Sequence, residues 1–194
     1  MNLLENVTIH TGDALAVLRK LPSESADCVV TSPPYWGLRD YKADGQLGLE
    51  DSPQEFIKRL VRVFRQVRRV LKNEGTCWLN IGDSYAGSWG GASKKPYTLS
   101  PVQANNPGSM SLGKPGPASK PARFGLKPKD LALIPARLAI ALQADGWYLR
   151  CDIIWSKPNP MPESVRDRPT RAHEYLFLLT KSERYFYDAK AIQG

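Results

Sequence analysis

Apolar residues recur along this chain with two different periods, and the changes of period mark its elements. Val7-Thr8-Ile9-His10-Thr11 alternates like a short strand. After Gly12-Asp13, Ala14 to Lys20 reads as a helix with Leu15 and Leu18 on one side. Cys28-Val29-Val30 is a strand-like run that stops at Thr31-Ser32-Pro33-Pro34-Tyr35-Trp36. Ser52-Pro53-Gln54-Glu55 is a capping box with proline at the first helical position. It predicts a helix from Pro53 to about Lys72, with Phe56, Leu60, Val63, Phe64, Val67, Val70 and Leu71 on one face. Asn73-Glu74-Gly75 should stop it, and Thr76 to Ile81 predicts a buried strand ending in Gly82-Asp83-Ser84-Tyr85. Asp130 reads as the N-cap of a helix over 131–144, with Leu131, Ile134, Leu138 and Leu142 on one face and Gly146 as its stop. Residues 147–155 and 174–180 predict strands. Lys181-Ser182-Glu183-Arg184 predicts a turn into Tyr185-Phe186-Tyr187, as a final antiparallel pairing.

This alternation of strands and helices predicts one α/β domain, and 194 residues suffice for a sizeable core. Residues 86–129 interrupt it. They are rich in Gly, Pro, Ser and Lys, have little apolar period, and carry Lys94, Lys95, Lys114, Lys120, Arg123, Lys127 and Lys129 without an acidic residue. A loop this long inside a compact domain is functional or disordered. The functional reading is an arm that meets DNA phosphates through residues such as Lys94, Lys95, Lys120 and Arg123. The plain one is an insertion with incidental charge. Trp89 and Tyr97 could stack there.

The net charge of +8 favours a polyanionic partner and supports a nucleic-acid reading without carrying it. Lys58, Arg62, Arg65, Arg68, Arg69 and Lys72, opposite the apolar face of the 53–72 helix, read as a solvated face. Cys28, Cys77 and Cys151 lie in apolar runs and read as buried free thiols of a reducing cytoplasm. With His10 and His173 they complete no zinc pattern. No apolar run reaches the roughly 18 residues of a membrane span, and the N-terminus lacks a signal-peptide pattern.

The chemistry concentrates at residues 31–36. Two prolines fix φ at both positions and remove both N–H groups, so the backbone there offers carbonyl acceptors only. Ser32 adds a hydroxyl and Tyr35 a ring face, the parts needed to hold a flat base with an exocyclic amine.

Thr31-Ser32-Pro33-Pro34-Tyr35 resembles the catalytic signature of amino-group DNA methyltransferases, which methylate N4 of cytosine or N6 of adenine. The Ser-Pro-Pro-Tyr form is similar mainly to the cytosine-N4 enzymes; adenine enzymes more often begin with Asp or Asn. The stretch from Gly12 to Tyr41 resembles the N-terminal block of the permuted, β-class members, in which the catalytic motif comes first. Trp155, Lys157, Asn159 and Pro162, then Arg168, His173 and Glu174, match a later family segment that would line the DNA side.

The resemblance implies a partial Rossmann-like sheet with an antiparallel edge hairpin and helices on both faces, and S-adenosylmethionine as cofactor. It implies a catalytic set of Ser32, Pro33, Pro34 and Tyr35, and double-stranded DNA contacted by Trp36, Lys157 and Arg168 beside the basic loop. Asp13, Thr31 and Asp83 would meet the cofactor. Asp13 could equally cap the helix after it, and Asp83 could instead touch the flipped base or anchor the following loop. His173 could be a general base but reads first as structural.

The family's glycine-rich cofactor loop, typically Asp-Pro-Phe-x-Gly-x-Gly-Thr, has no counterpart; Gly87-Ser88-Trp89-Gly90-Gly91 has the wrong pattern. In permuted members that loop lies downstream of the last block seen here. Three expectations follow: a truncated reading frame, a half-enzyme completed by another polypeptide or a second copy, or an inactive remnant. The expected activity is methyl transfer to cytosine N4, with adenine N6 and a non-catalytic DNA-binding remnant as alternatives, in the cytoplasm of a bacterium or encoded by a phage.

Overall fold

The computed structural model describes residues 7–86, 126–127, 129–160, 163 and 165–191. The elements run α1 (Ala14–Lys20), β1 (Ala26–Thr31), α2 (Pro53–Val70), β2 (Leu71–Ile81), α3 (Ile134–Ala144), β3 (Tyr148–Ser156) and β4 (His173–Thr180). The four strands form one sheet in the order β1-β2-β4-β3. β1 and β2 are parallel, joined through α2 as a parallel pair requires, whereas β4 lies antiparallel between β2 and β3.

Asp13 caps α1, its Oδ1 accepting from the Ala16 N–H at 2.9 Å. Ser52 caps α2 through the Glu55 N–H, and Phe56, Ile57, Leu60, Phe64, Val67 and Val70 are buried. These side chains meet Cys77, Leu79 and Ile81 of β2, Phe177 and Leu179 of β4, and Leu138 and Leu142 of α3 in one core. α1 and α3 both pack on α2, so the three described helices share one face of the sheet. The other face shows Trp78 and Asn80 of β2 and Leu176 of β4 only half-buried, and Val30 of β1 77% exposed. Helices were expected on both faces; among the described residues they cover one.

Four further expectations change. Val7–Thr11 is not a strand, and Ile9 is exposed. α2 ends at Val70 and β2 begins at Leu71, so Asn73-Glu74-Gly75 lies inside the irregular start of β2, where the pairing slips between Ala26 and Cys28. α3 begins at Ile134 rather than 131, because Leu131 bridges to Tyr85 instead. Asp130 therefore caps nothing in α3. Tyr185–Tyr187 forms no strand, and the antiparallel hairpin is β3–β4.

The basic side of α2 is more than a solvated face. Arg69 donates to the Leu18 and Leu21 carbonyls, Arg65 pairs with Asp145 beyond α3, and Lys72, which falls in β2 rather than α2, pairs with Asp27. Of the cysteines only Cys77 is buried. Cys28 and Cys151 sit on the two edge strands and are exposed. Among the described residues no helix is long and apolar enough to cross a membrane, and no cluster could hold a metal ion.

Candidate active site at the strand ends

All four strands contribute to one end of the sheet. The Ser32–Tyr35 turn follows β1, Asn80 and Gly82 stand at the end of β2, Glu174 opens β4, and Lys157 follows β3. In open α/β sheets the carboxyl ends of parallel strands are where ligands gather.

Ser32 is exposed, with its Oγ 3.4 Å from Asn80 Oδ1 and 3.5 Å from the Tyr35 hydroxyl. Pro33, Pro34 and Tyr35 are half-buried, and Thr31 pairs with Leu79. The Tyr35 hydroxyl lies 2.8 Å from Asn80 Oδ1 and 3.0 Å from Glu174 Oε2. Asn80 Nδ2 donates to the Tyr175 carbonyl at 3.2 Å, which turns the amide oxygen toward Tyr35 and Ser32. Lys157 forms an ion pair with Glu174 Oε1.

Gly82 makes room for the Tyr35 ring, since a Cβ there would stand 2.6 Å from Tyr35 Cε2. Burial pushes the Tyr35 phenol above its ordinary pKa; the Ser32 hydrogen bond opposes it, and the Glu174 charge and hydrogen bond add to the rise. Burial pushes the Glu174 carboxyl up, but hydrogen bonds from Lys157 and Tyr35 outweigh it and leave the group below the usual carboxylate range.

A second set of contacts holds the turn from behind. Trp36 is 1% exposed and its indole N–H donates to the Glu50 carbonyl at 3.0 Å. The buried Glu50 carboxylate accepts from the Gly48 N–H and pairs with Arg59 at 2.7 Å. The Gly37 N–H donates to the Gly48 carbonyl at 2.7 Å. Gly48, at φ +100°, passes so close that a Cβ would lie 2.9 Å from the Tyr35 carbonyl oxygen. The expected DNA contact of Trp36 is thus corrected: its ring is core.

Asp83 is an anchor. Its side chain is 2% exposed, Oδ1 accepts from the Ser84 and Ile134 N–H groups at 2.9 Å, and Oδ2 pairs with Arg171 at 3.3 Å. It therefore caps α3 from a distant segment, in place of Leu133, the residue before the helix, whose side chain has no acceptor. The expected cofactor contact does not suit a carboxylate so enclosed. Arg168 pairs with Glu163 at 2.6 Å and lies 3.8 Å above the Tyr85 ring, so its charge is engaged within the chain. His173 meets Tyr175 edge-on at 5.4 Å.

Lys94, Lys95, Lys120 and Arg123, like Trp89 and Tyr97, lie outside the described residues. The described ends of their segment close on each other. Ala86 N–H donates to the Asp130 carbonyl and Lys129 N–H to the Ala86 carbonyl, both at 2.8 Å. This neck stands just beyond Gly82, at the same end of the sheet as Ser32.

Residues 26–194 match the N6/N4 DNA methylase family. The chain belongs to that family. It is 55% identical over 190 residues to the type II methyltransferase M.Cfr9I of Citrobacter freundii, covering 98% of this chain and 59% of the relative. Its fold is similar to that of the cytosine-N4-specific PvuII DNA methyltransferase, with a TM-score of 0.58 at 18% identity, over 94% of this chain and 53% of that one. It is also similar to a Thermus thermophilus protein solved in complex with S-adenosyl-L-methionine, with a TM-score of 0.56 at 24% identity, over 94% and 56% of the two chains. The chain spans about three-fifths of the length of three curated relatives that it matches.

Asn80 was not among the expected site residues, and Glu174 was expected only as part of a segment lining the DNA side, although each left a trace. Asn80 is an amide inside an apolar strand run, and Glu174 is a carboxylate at the head of another.

Proposed function

We propose that this chain is the base-handling part of a DNA methyltransferase that methylates the exocyclic amine of a flipped base, with N4 of cytosine as its target. The exposed Ser32 hydroxyl beside a fixed Tyr35 ring, at the ends of β1 and β2, carries this reading. Ser32 in place of an acidic or amide residue supports cytosine; adenine N6 is the alternative.

A base must leave the duplex before its amine can be reached. Tyr35 then offers it a ring. Ser32 Oγ and the Pro33 carbonyl accept its amine hydrogens and draw the nitrogen lone pair out of conjugation. The amine nitrogen so oriented would be the group that is methylated, and the proton it gives up would leave to water. Positioning of this kind is worth about 7–11 kcal/mol for well-aligned reactants, and acceptors aimed at developing positive charge add to it. S-adenosylmethionine, when bound, supplies the electrophilic methyl. Asp13, exposed at the start of α1, and Thr31, at the end of β1, are the residues of this chain that fit a contact with it; Asp83 does not.

The rest of the cofactor pocket belongs to a completing segment, in the same polypeptide or another. β1 is an edge strand beside a half-open, partly apolar sheet face, and the matched relatives are longer by about two-fifths of their length. That segment would extend the sheet from β1. The basic residues between 87 and 125, set on the neck at Ala86, would meet DNA phosphates. A DNA substrate fits the expected cytoplasmic setting.

Nucleoside mass spectrometry tests this. Unmethylated plasmid is incubated with S-adenosylmethionine and the chain, alone and co-expressed with the unmatched segment of the Citrobacter relative. N4-methylcytosine in the co-expressed preparation is the expected result. N6-methyladenine would overturn the base, and no methylated base in either would favour the DNA-binding remnant.

A further inference from the structure

The Tyr35 and Ser32 hydroxyls bring one hydrogen each to a cluster with more acceptors than that, so who donates to whom is constrained. Tyr35 has one hydroxyl hydrogen and two acceptors in reach, Asn80 Oδ1 at 2.8 Å and Glu174 Oε2 at 3.0 Å. Ser32 has one hydrogen, with Asn80 Oδ1 and the Tyr35 oxygen as its partners within the chain. Asn80 cannot turn its NH2 toward either, because that group donates to the Tyr175 carbonyl and also hydrogen-bonds the Glu174 carboxylate.

Bonds to an ionised acceptor are stronger than bonds to a neutral one. A charged Glu174 therefore draws the Tyr35 hydrogen from Asn80 Oδ1, although that oxygen stands nearer at 2.8 Å, and leaves Asn80 Oδ1 to receive that of Ser32. The serine oxygen then faces outward with its lone pairs only. Without the carboxylate, Tyr35 turns its hydrogen onto Asn80 Oδ1 and competes with Ser32 for it, and the serine hydrogen is freed toward the substrate side. Lys157, ion-paired to the other Glu174 oxygen, holds the carboxylate charged and in place.

We propose that Glu174, clamped by Lys157, is a positioning residue that sets the acceptor sense of the Ser32 hydroxyl through Tyr35 and Asn80. This rests on the reading of Ser32 as the amine acceptor, and it gives Lys157 a task inside the protein in place of a DNA contact. A hydroxyl that presents its hydrogen to an amine hydrogen repels it. One that presents lone pairs draws the amine in and suits the positive charge that develops on nitrogen.

The test has one arm that needs no methylation. The 13Cζ resonance of Tyr35, assigned with Tyr35→Phe, is recorded for wild type and Glu174→Gln. A shifted resonance is expected, because the phenol changes acceptor; an unmoved resonance would overturn the network. The second arm is kinetic, in the chain with its completing segment. Glu174→Gln and Lys157→Met should each lower kcat about 10²-fold, the scale of a small misplacement at a reacting centre, with KM for DNA unchanged.

A Lys157→Met variant with raised KM and unchanged kcat would assign the lysine to DNA phosphate and overturn the clamp. The exchange variant Lys157→Glu/Glu174→Lys separates positioning from simple pairing. It should regain stability and leave kcat and the Tyr35 resonance unrestored; full recovery of both would mean that any ion pair suffices and would overturn the proposal. If wild type itself fails to methylate while the resonance moves, the functional reading fails and the network stands.

Discussion

The Tyr35 hydroxyl and the Glu174 carboxylate lie 3.0 Å apart across 139 positions of sequence. β4 brings them together by running antiparallel beside β2, so that its first residues arrive where β1 and β2 end. The catalytic turn is thereby tied to the opposite half of the sheet, and the ring is fixed at its hydroxyl and beneath, at Gly82.

Gly82→Ala should unseat that ring. A Cβ placed 2.6 Å from Tyr35 Cε2 forces a shift, and overpacking of this kind costs about 1–3 kcal/mol. Urea unfolding should show the loss, and the Tyr35 13Cζ resonance should move with it. An unchanged midpoint and resonance would mean that the ring has room to yield.

Trp36→Ala should destabilise the fold by about 3–5 kcal/mol, the range for deleting a large aromatic side chain from a core. Trp36→Phe should retain most of the packing and lose the bond to the Glu50 carbonyl. If both variants unfold like wild type and only DNA affinity falls, the side chain is a surface reader after all.

Removal of the Asp83 carboxylate strands Arg171 and uncaps α3 at once. Asp83→Ala should cost about 3–5 kcal/mol, as for one partner lost from a buried pair. Asp83→Asn, which keeps an acceptor for the Ile134 N–H, should cost less. Equal losses would show that the charge, and not the cap, dominates.

Thiol reactivity should divide two to one. Burial pushes the Cys77 thiol up to about 12, whereas Cys28 and Cys151 are exposed. A thiolate-selective reagent at neutral pH should label Cys28 and Cys151 in the folded chain and Cys77 only after denaturation. Early labelling of Cys77 would mean that β2 opens easily.

Acid should loosen the site. Glu174 and Glu163 both titrate below the usual carboxylate range: Glu174 because Lys157 and Tyr35 outweigh its burial, Glu163 chiefly through the Arg168 hydrogen bond. The native state then binds fewer protons than the unfolded chain, so these contributions are complete above the ordinary value of about 4.3 and vanish as pH falls through the folded values. Urea midpoints between about pH 3 and 7 should fall at the acid end, and less steeply in Glu174→Gln/Glu163→Gln. A slope unaltered by the double change would place the acid sensitivity elsewhere.

Local chemistry was legible in the sequence. The caps at Asp13 and Ser52, the apolar face of α2 and the rigid Ser-Pro-Pro-Tyr turn depend on neighbours a few residues away, and each is present. What escaped depends on distant partners. Leu131-Ala132-Leu133 continues the apolar pattern of α3, yet Leu131 pairs with Tyr85 and the cap arrives from Asp83. Trp36 follows four residues of candidate chemistry, and nothing local shows that its indole points inward to Glu50. Cys28 and Val30 read as core because their run is apolar. They are exposed because β1 is an edge strand and its far face has no described helix upon it.

Gly82 has no side chain with which to react, bind or donate, yet its vacancy decides where the most chemically eloquent ring of the molecule lies. A mutational survey scored on product alone would rank it beside Ser32 and Tyr35 and would misname it. The constraint at that position is volume, so tolerance there should follow the size of the replacement and ignore its polarity.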